Sequence, residues 1–437
     1  MSSLPVVAMP TVNPLPVGPM TPFVPSDLHA NDKPKRSNVP LSAVLKLARK
    51  VIERPDFARS MVSLQVEKQF FNQLYPNSTE GRANKIRQLS FRITDVCNLR
   101  CHTCGQWGDN GYLLDKSINQ LRKTEIPVER YIELLRDLKK QGHTPVLYFW
   151  GGEPMLYKHL VDLIEEGARL GMPPTIATNG TYIERDAARI VAAPMALLQM
   201  SVDGSGRDTH NDARPGANKL HNNFADVLAG FEAVKEEKKR RKQLLPLSIT
   251  LTTISRTNYM DLVNIYEKFK GVADFHIFYL SWWIDQESAD LNKHHFETRF
   301  GEKSSMSDGW VGDWNKFDYQ ELSRQLKELK RRSSGMRNTP VYLMPDLVEP
   351  EDLIKYYTQH STTFGFKQCV SIFQNPEIDS NGNVSPCRDY HDYVVGNVRE
   401  KTMTELWNND RYVKFRKSIA TDGLMPVCTR CCGLMGY

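Results

Sequence analysis

The stretch Leu89-Ser90-Phe91-Arg92-Ile93-Thr94-Asp95-Val96-Cys97-Asn98-Leu99-Arg100-Cys101-His102-Thr103-Cys104 runs from a strand-like segment into three cysteines. Their C-x3-C-x2-C spacing names a chemistry. Three thiolates on one tight loop can hold three irons of a 4Fe-4S cluster, and with no fourth cysteine on the loop the last iron stays open to a non-protein ligand. A structural zinc site takes four ligands, often as paired C-x2-C knuckles, and His102 cannot readily join Cys101 on one ion because adjacent side chains diverge. Eight cysteines in 437 residues are too sparse for a disulfide scaffold. An iron-sulfur site is the favoured reading and zinc the alternative.

Downstream, Pro145-Val146-Leu147-Tyr148-Phe149-Trp150 reads as a buried strand that runs into Gly151-Gly152-Glu153-Pro154. Two glycines at a strand end let a ligand approach the backbone, and a glutamate can accept a hydrogen bond from an ammonium group. The three cysteines followed by this Gly-Gly-Glu-Pro resemble the radical S-adenosylmethionine superfamily, where the two motifs occur in this order. The resemblance continues through Thr175-Ile176-Ala177-Thr178-Asn179-Gly180, Leu198-Gln199-Met200-Ser201-Val202-Asp203-Gly204, His210-Asn211-Asp212-Ala213-Arg214 and Leu251 to Asn258, and covers roughly residues 89 to 280.

The resemblance implies that Cys97, Cys101 and Cys104 ligate a 4Fe-4S cluster. It implies that Gly151, Gly152, Glu153, Pro154, Asn179, Ser201, Asp203 and Arg214 bind S-adenosylmethionine, with Glu153 and the glycine backbone on its amino group. One position departs from the family pattern: an aromatic residue usually precedes the third cysteine and packs near the adenine, whereas this chain has Thr103. Trp107 could supply that surface instead.

Five further cysteines, Cys369, Cys387, Cys428, Cys431 and Cys432, occupy the last part of the chain. Four converging thiolates suit zinc. Yet Ile378 to Cys387, with Val395-Gly396-Asn397-Val398 and Thr404-Glu405-Leu406-Trp407, resembles the SPASM or twitch extension of radical S-adenosylmethionine enzymes. That resemblance implies auxiliary 4Fe-4S clusters, usually two, but five cysteines suffice for only one fully ligated cluster, held by Cys369, Cys387, Cys428 and one or both of Cys431 and Cys432.

Strand candidates near 89–94, 145–150, 174–178, 197–202, 247–253 and 273–280 alternate with helical stretches at Val128 to Lys140, Leu156 to Leu170, Tyr182 to Val191 and Phe224 to Lys239. Such alternation implies α/β architecture with parallel strands and crossover helices. It alone leaves a doubly wound sheet open; the family implies a partial (β/α)6 TIM-like barrel over 89–285 with a small cysteine-rich C-terminal domain over 363–437, and functional loops at the strands' C-terminal ends.

The flanks carry weaker signals. Residues 1–40 hold nine prolines and little periodicity, which predicts a disordered leader. Residues 41–88 predict a helical extension: Leu45, Leu47, Val51 and Ile52, then Met61, Leu64, Val66 and Phe70, fit two amphipathic helices broken near Pro55 and packed on the core. The connecting region 286–362 is looser, apart from a helix over Tyr319 to Arg332. Trp282, Trp283, Trp310 and Trp314 there suit interdomain packing or a substrate pocket.

With 40% hydrophobic and 25% charged residues the chain can bury a large core. No transmembrane span or secretory signal is apparent, so a reduced cytoplasmic setting is expected. A net charge of +6 shows no nucleic-acid design, and Lys238-Lys239-Arg240-Arg241-Lys242 reads as a solvated helix end. The expected activity is reductive cleavage of S-adenosylmethionine and hydrogen abstraction from a substrate, fed by a reductant such as flavodoxin or ferredoxin. The reading leans towards peptide or protein modification. The alternatives are dehydrogenation or epimerisation of a small molecule, or a noncatalytic electron-transfer protein.

Overall fold

Strand β1 (Gln88–Thr94) is buried at all seven positions, because it has a neighbouring strand on each side: β2 (Val146–Gly151) and the short β8 (Glu377–Ile378), both parallel to it. The computed structural model describes residues 23–27, 50, 53–75, 78–216, 218, 220–312, 316–388 and 390–435. From β2 the sheet continues in parallel through β3 (Pro174–Thr178), β4 (Leu197–Ser201), β5 (Leu247–Ile254), β6 (Phe275–Leu280) and β7 (Val341–Met344). On the far side of β8 lie β9 (Asn383–Ser385) and β10 (Gly396–Asn397), both antiparallel to their neighbours. Among the described residues the sheet therefore has ten strands and two open edges, β10 and β7.

Crossover helices at Val128–Lys140, Leu160–Arg169, Ile183–Ala192, Asn223–Arg241 and Leu262–Phe269 cover the outer face. Successive side chains on a strand point to opposite faces. Leu197, Gln199 and Ser201 of β4 and Phe275, Ile277 and Tyr279 of β6 line one common cavity, whereas Leu198, Met200 and Phe278 are buried in the main apolar cluster. Several strands presenting alternate residues to one space means that the sheet wraps around a bore.

The helix Pro55–Gln69 closes the lower end of this bore. Phe57, Met61 and Leu64 line it beside Gln88, Val146, Thr175 and Leu197, all at the starts of their strands. Pro55 begins the helix rather than interrupting it, since a first-turn proline loses no hydrogen bond. Val66 and Phe70 face outward, against the expectation of a core face. Leu45, Leu47, Val51, Ile52 and Trp314 lie outside the described residues.

Two stretches are more structured than the sequence pattern suggests. Within the expected leader, Asp27 accepts hydrogen bonds from the Thr363 amide (2.9 Å), the Thr363 hydroxyl (2.9 Å) and the Gly365 amide (3.2 Å), so this short stretch is anchored. The connecting region is also structured: helices Gln286–Phe300, Tyr319–Ser333 and Pro350–Thr358 surround β7, which pairs with β6 and extends the sheet beyond six strands. Four residues between Pro340 and Pro345 are too short a run to announce a strand.

The C-terminal segment is tied to the barrel by more than its strand. Arg416 is fully buried; its Nε donates to the Ile372 carbonyl (2.9 Å) and its Nη1 to Asn408 Oδ1 (3.0 Å) and the Gly81 carbonyl (3.3 Å). Its guanidinium lies 3.8 Å from the Tyr412 ring centre and 4.1 Å from that of Trp407. Arg416→Met removes the side-chain donor from the Ile372 and Gly81 carbonyls and is expected to cost about 3 kcal/mol of stability. Urea unfolding measures this, and an unchanged midpoint contradicts the anchoring role.

No helix among the described residues is long and apolar enough to cross a membrane.

Candidate functional site

The cysteine loop leaves β1 at Thr94 and is held at once by the strand beside it. Gly152 and Glu153 donate their amides to the carbonyls of Thr94 (2.7 Å) and Val96 (2.8 Å). This approach requires glycine: a Cβ on Gly151 would lie 2.4 Å from the Thr94 carbonyl oxygen and one on Gly152 2.3 Å from that of Val96, and Gly151 has φ +141°. The loop's far side is pinned to the segment after β4. Arg100 and His102 donate to the carbonyls of Pro215 (2.7 Å) and Ala213 (3.3 Å), and Leu99 bridges Gly216. Asn98 joins it to the β3 exit, accepting from Asn179 Nδ2 at 2.8 Å and donating to Thr181 at 3.1 Å.

Cys97, Cys101 and Cys104 all face the bore, a cavity of about 490 Å³, together with Gly151, Gly152, Asn179, Ser201 and Arg214. The Sγ atoms of Cys97 and Cys104 accept amide hydrogen bonds from Leu99 and Trp107, each at 3.4 Å, and Arg214 Nη1 donates to Cys101 Sγ at 3.6 Å. Burial pushes the Cys97 thiol up strongly and Cys101 up to about 11, with Arg214 pulling Cys101 back. Buried thiols of this kind ionise when metal coordination supplies the positive charge.

Among the described residues no three His, Cys, Asp or Glu side chains are arranged to hold a single metal ion. A cubane cluster makes a different demand, because each thiolate takes its own iron. The donor set of three cavity-facing thiols beside exposed glycine backbone therefore fits a 4Fe-4S cluster with a chelating ligand.

Glu153 sits behind the glycine backbone. Its carboxylate is fully buried and absent from the cavity wall, accepting from Thr178 Oγ1 (2.6 Å), the Asn179 amide (2.7 Å) and the Met155 amide (3.0 Å). Burial raises its pKa and these donors lower it. It braces the β2 and β3 exits, and the surface open to a ligand is glycine backbone. Pro154 is buried beside it at the start of a short 3-10 turn.

Asp203 is likewise buried off the wall, paired with Arg214 Nε at 2.7 Å and accepting from the Thr253 amide at 2.8 Å. Trp107 does line the cavity, but it is buried, donates Nε1 to the Asp95 carbonyl (2.7 Å) and stacks under Arg100 at 4.2 Å. It is a pillar of the loop as well as a wall.

The five C-terminal cysteines meet. Cys369, Cys387, Cys428, Cys431 and Cys432 line one small cavity with Glu377 and Arg388, and none of the eight cysteines forms a disulfide. Cys432 and Arg388 also line the bore, so the two cysteine groups share a wall.

Several residues at or behind that wall were not anticipated. Arg92 pairs with Asp95 (3.0 Å) and donates to Tyr112 (2.9 Å); His391 stacks on Trp150 at 6.3 Å; Arg388 lies 5.2 Å from the Trp150 ring centre. An arginine inside an otherwise buried strand was the one legible signal. Of the tryptophans, Trp282 and Trp310 line the bore, while Trp283 packs against His360 in the core.

Gly152→Ala must displace the Val96 carbonyl, and we expect at least a tenfold loss of S-adenosylmethionine affinity in the iron-reconstituted protein, measured by calorimetry. Unchanged affinity contradicts the close approach.

The radical SAM superfamily profile matches residues 91–269, and the SPASM iron-sulfur cluster-binding domain matches 369–432. The AdoMet-dependent heme synthase of Methanosarcina barkeri (strain Fusaro / DSM 804) is 25% identical over 358 residues, 80% of this chain and 89% of that protein. The Fe-coproporphyrin III synthase of the same organism is 25% identical over 327 residues, 73% of each chain. Among solved structures, Streptococcus suis SuiB bound to S-adenosylmethionine shares the fold with a TM-score of 0.53 at 13% identity, covering 82% of this chain and 73% of that one. The chain thus belongs to the radical SAM superfamily, as an enzyme that uses a 4Fe-4S cluster and S-adenosylmethionine and carries a C-terminal SPASM iron-sulfur domain.

Proposed function

We propose that Cys97, Cys101 and Cys104 hold the 4Fe-4S cluster, that the backbone of Gly151 and Gly152 with Asn179 and Ser201 receives S-adenosylmethionine, and that the enzyme oxidises a compact organic substrate held in the same bore. Cys369, Cys387 and Cys428, with one or both of Cys431 and Cys432, hold an auxiliary 4Fe-4S cluster. The observation that carries this reading is the shared cavity: its walls include the three loop cysteines and also Cys432. When bound, the first cluster and S-adenosylmethionine supply a 5′-deoxyadenosyl radical by reductive cleavage of the sulfonium carbon-sulfur bond, and the auxiliary cluster supplies an electron acceptor beside the substrate.

The chain's own residues do the rest. Trp150, Tyr279, Trp282 and Trp310 wall the bore with aromatic surface that excludes water from a reactive carbon centre. Glu153 and Thr178 keep the β2 and β3 exits in register, which holds the glycine backbone in place. Arg388, over the rings of Tyr148 and Trp150, places a cation where an anionic substrate group can sit. An acceptor cluster next to the substrate favours dehydrogenation over epimerisation.

Of the two expected substrate classes, a small organic molecule is favoured over a peptide or protein. The cavity of about 490 Å³ must also admit S-adenosylmethionine, which leaves space for a compact group, and several relatives aligned over most of the chain are named for heme or Fe-coproporphyrin III synthesis, beside a sulfatase-maturating enzyme. A flavodoxin- or ferredoxin-type protein serves as reductant.

Anaerobic reconstitution is expected to give about eight irons per chain; about four contradicts the auxiliary site. With dithionite and S-adenosylmethionine, 5′-deoxyadenosine should form, and Cys97→Ala should reduce its rate at least a hundredfold. Absence of 5′-deoxyadenosine from the reconstituted wild-type protein would favour a noncatalytic electron carrier.

A further inference from the structure

We infer that Arg214 and Asp203 form a device that sets the reduction potential of the cluster on the Cys97–Cys104 loop, rather than a contact for the cofactor. The inference rests on the proposed ligand role of Cys97, Cys101 and Cys104. It starts from a side chain that reaches a loop sulfur with a full positive charge: Arg214 Nη1 lies 3.6 Å from Cys101 Sγ.

The contact is built rather than incidental. Arg214 sits in the segment whose carbonyls, at Ala213 and Pro215, receive the loop amides of His102 and Arg100. Asn223 Nδ2 holds the Arg214 carbonyl at 2.9 Å. The backbone of the arginine and that of the cysteine loop are therefore one unit. On its other side Arg214 Nε meets Asp203 Oδ2 at 2.7 Å. Asp203 is itself fixed, taking the Thr253 amide on its other oxygen and being almost fully buried.

Charge sets the direction of each effect. Reducing a thiolate-ligated cluster adds a negative charge, so a nearby cation stabilises the reduced state more than the oxidised one and raises the potential. A hydrogen bond to a ligating sulfur acts in the same direction. Asp203 does the reverse, because its carboxylate partly cancels the guanidinium in a buried setting where screening is weak. The pair thus works as a cation trimmed by an anion, and the two residues should move the potential in opposite directions when neutralised.

Redox titration followed by electron paramagnetic resonance on the reconstituted full chain tests this without relying on turnover. The loop cluster is identified by the signal that changes on adding S-adenosylmethionine. Arg214→Gln should shift its midpoint to lower potential, Arg214→Lys should recover part of the shift, and Asp203→Asn should shift it to higher potential. A midpoint unmoved by all three variants, or moved the same way by Arg214→Gln and Asp203→Asn, overturns the inference. If the wild-type protein gives no signal that responds to S-adenosylmethionine, the loop-cluster assignment itself fails, and the inference with it. Circular dichroism checks that each variant is folded, and Asp203→Asn keeps the test available should Arg214→Gln not fold.

Discussion

The interaction on which the rest depends is the pair of amide bonds from Gly152 and Glu153 to the carbonyls of Thr94 and Val96. It fixes the exit of β1 against the exit of β2 at a spacing that no side chain could share. The cysteine loop begins immediately beyond it, and the loop's other contacts run to the β3 exit through Asn98 and Asn179 and to the segment after β4 through Arg100 and His102. Three crossovers in the sheet are thereby gathered onto a loop of a few residues. A parallel sheet delivers this naturally, since all its strands end on the same side.

That junction was legible in the sequence because each part carries its own mark. Glycine pairs at a strand end and a closely spaced cysteine triplet are local patterns, and the alternation of strands and helices around them is periodic. The helix Val128–Lys140 falls where expected, and the strands depart by a residue or two at their ends. What was not legible depends on contacts between distant residues. The sequence marks Glu153 as a candidate partner for an ammonium group, but it carries no sign that the carboxylate also accepts from Thr178 and two backbone amides and so braces the strand ends. Asp203 and Arg214 looked like independent cofactor contacts, and only the fold shows that one is seated on the other.

The C-terminal segment shows the same division. Its cysteines and the motif around Cys387 identified it as a cluster-bearing unit. Its attachment was not foreseen: β8 adds to the barrel's own sheet beside β1, and Arg416, fully buried, reaches across to Gly81. Because β1 is the strand that leads into the first cysteine loop, this attachment brings the two cysteine groups to opposite sides of one wall. Cys432 and Arg388, which border both cavities, follow from that placement. The arrangement leaves a cavity between two cysteine groups suited to iron-sulfur clusters.

We propose that the open side of the Cys97–Cys104 site takes the amino and carboxylate groups of S-adenosylmethionine. Electron-nuclear double resonance on the reduced, reconstituted protein with S-adenosylmethionine labelled by 15N at the amino group and 17O at the carboxylate tests it directly. Hyperfine coupling to both labels, lost in Cys97→Ala, is the predicted result. A reduced cluster with no coupling to either label would contradict the account.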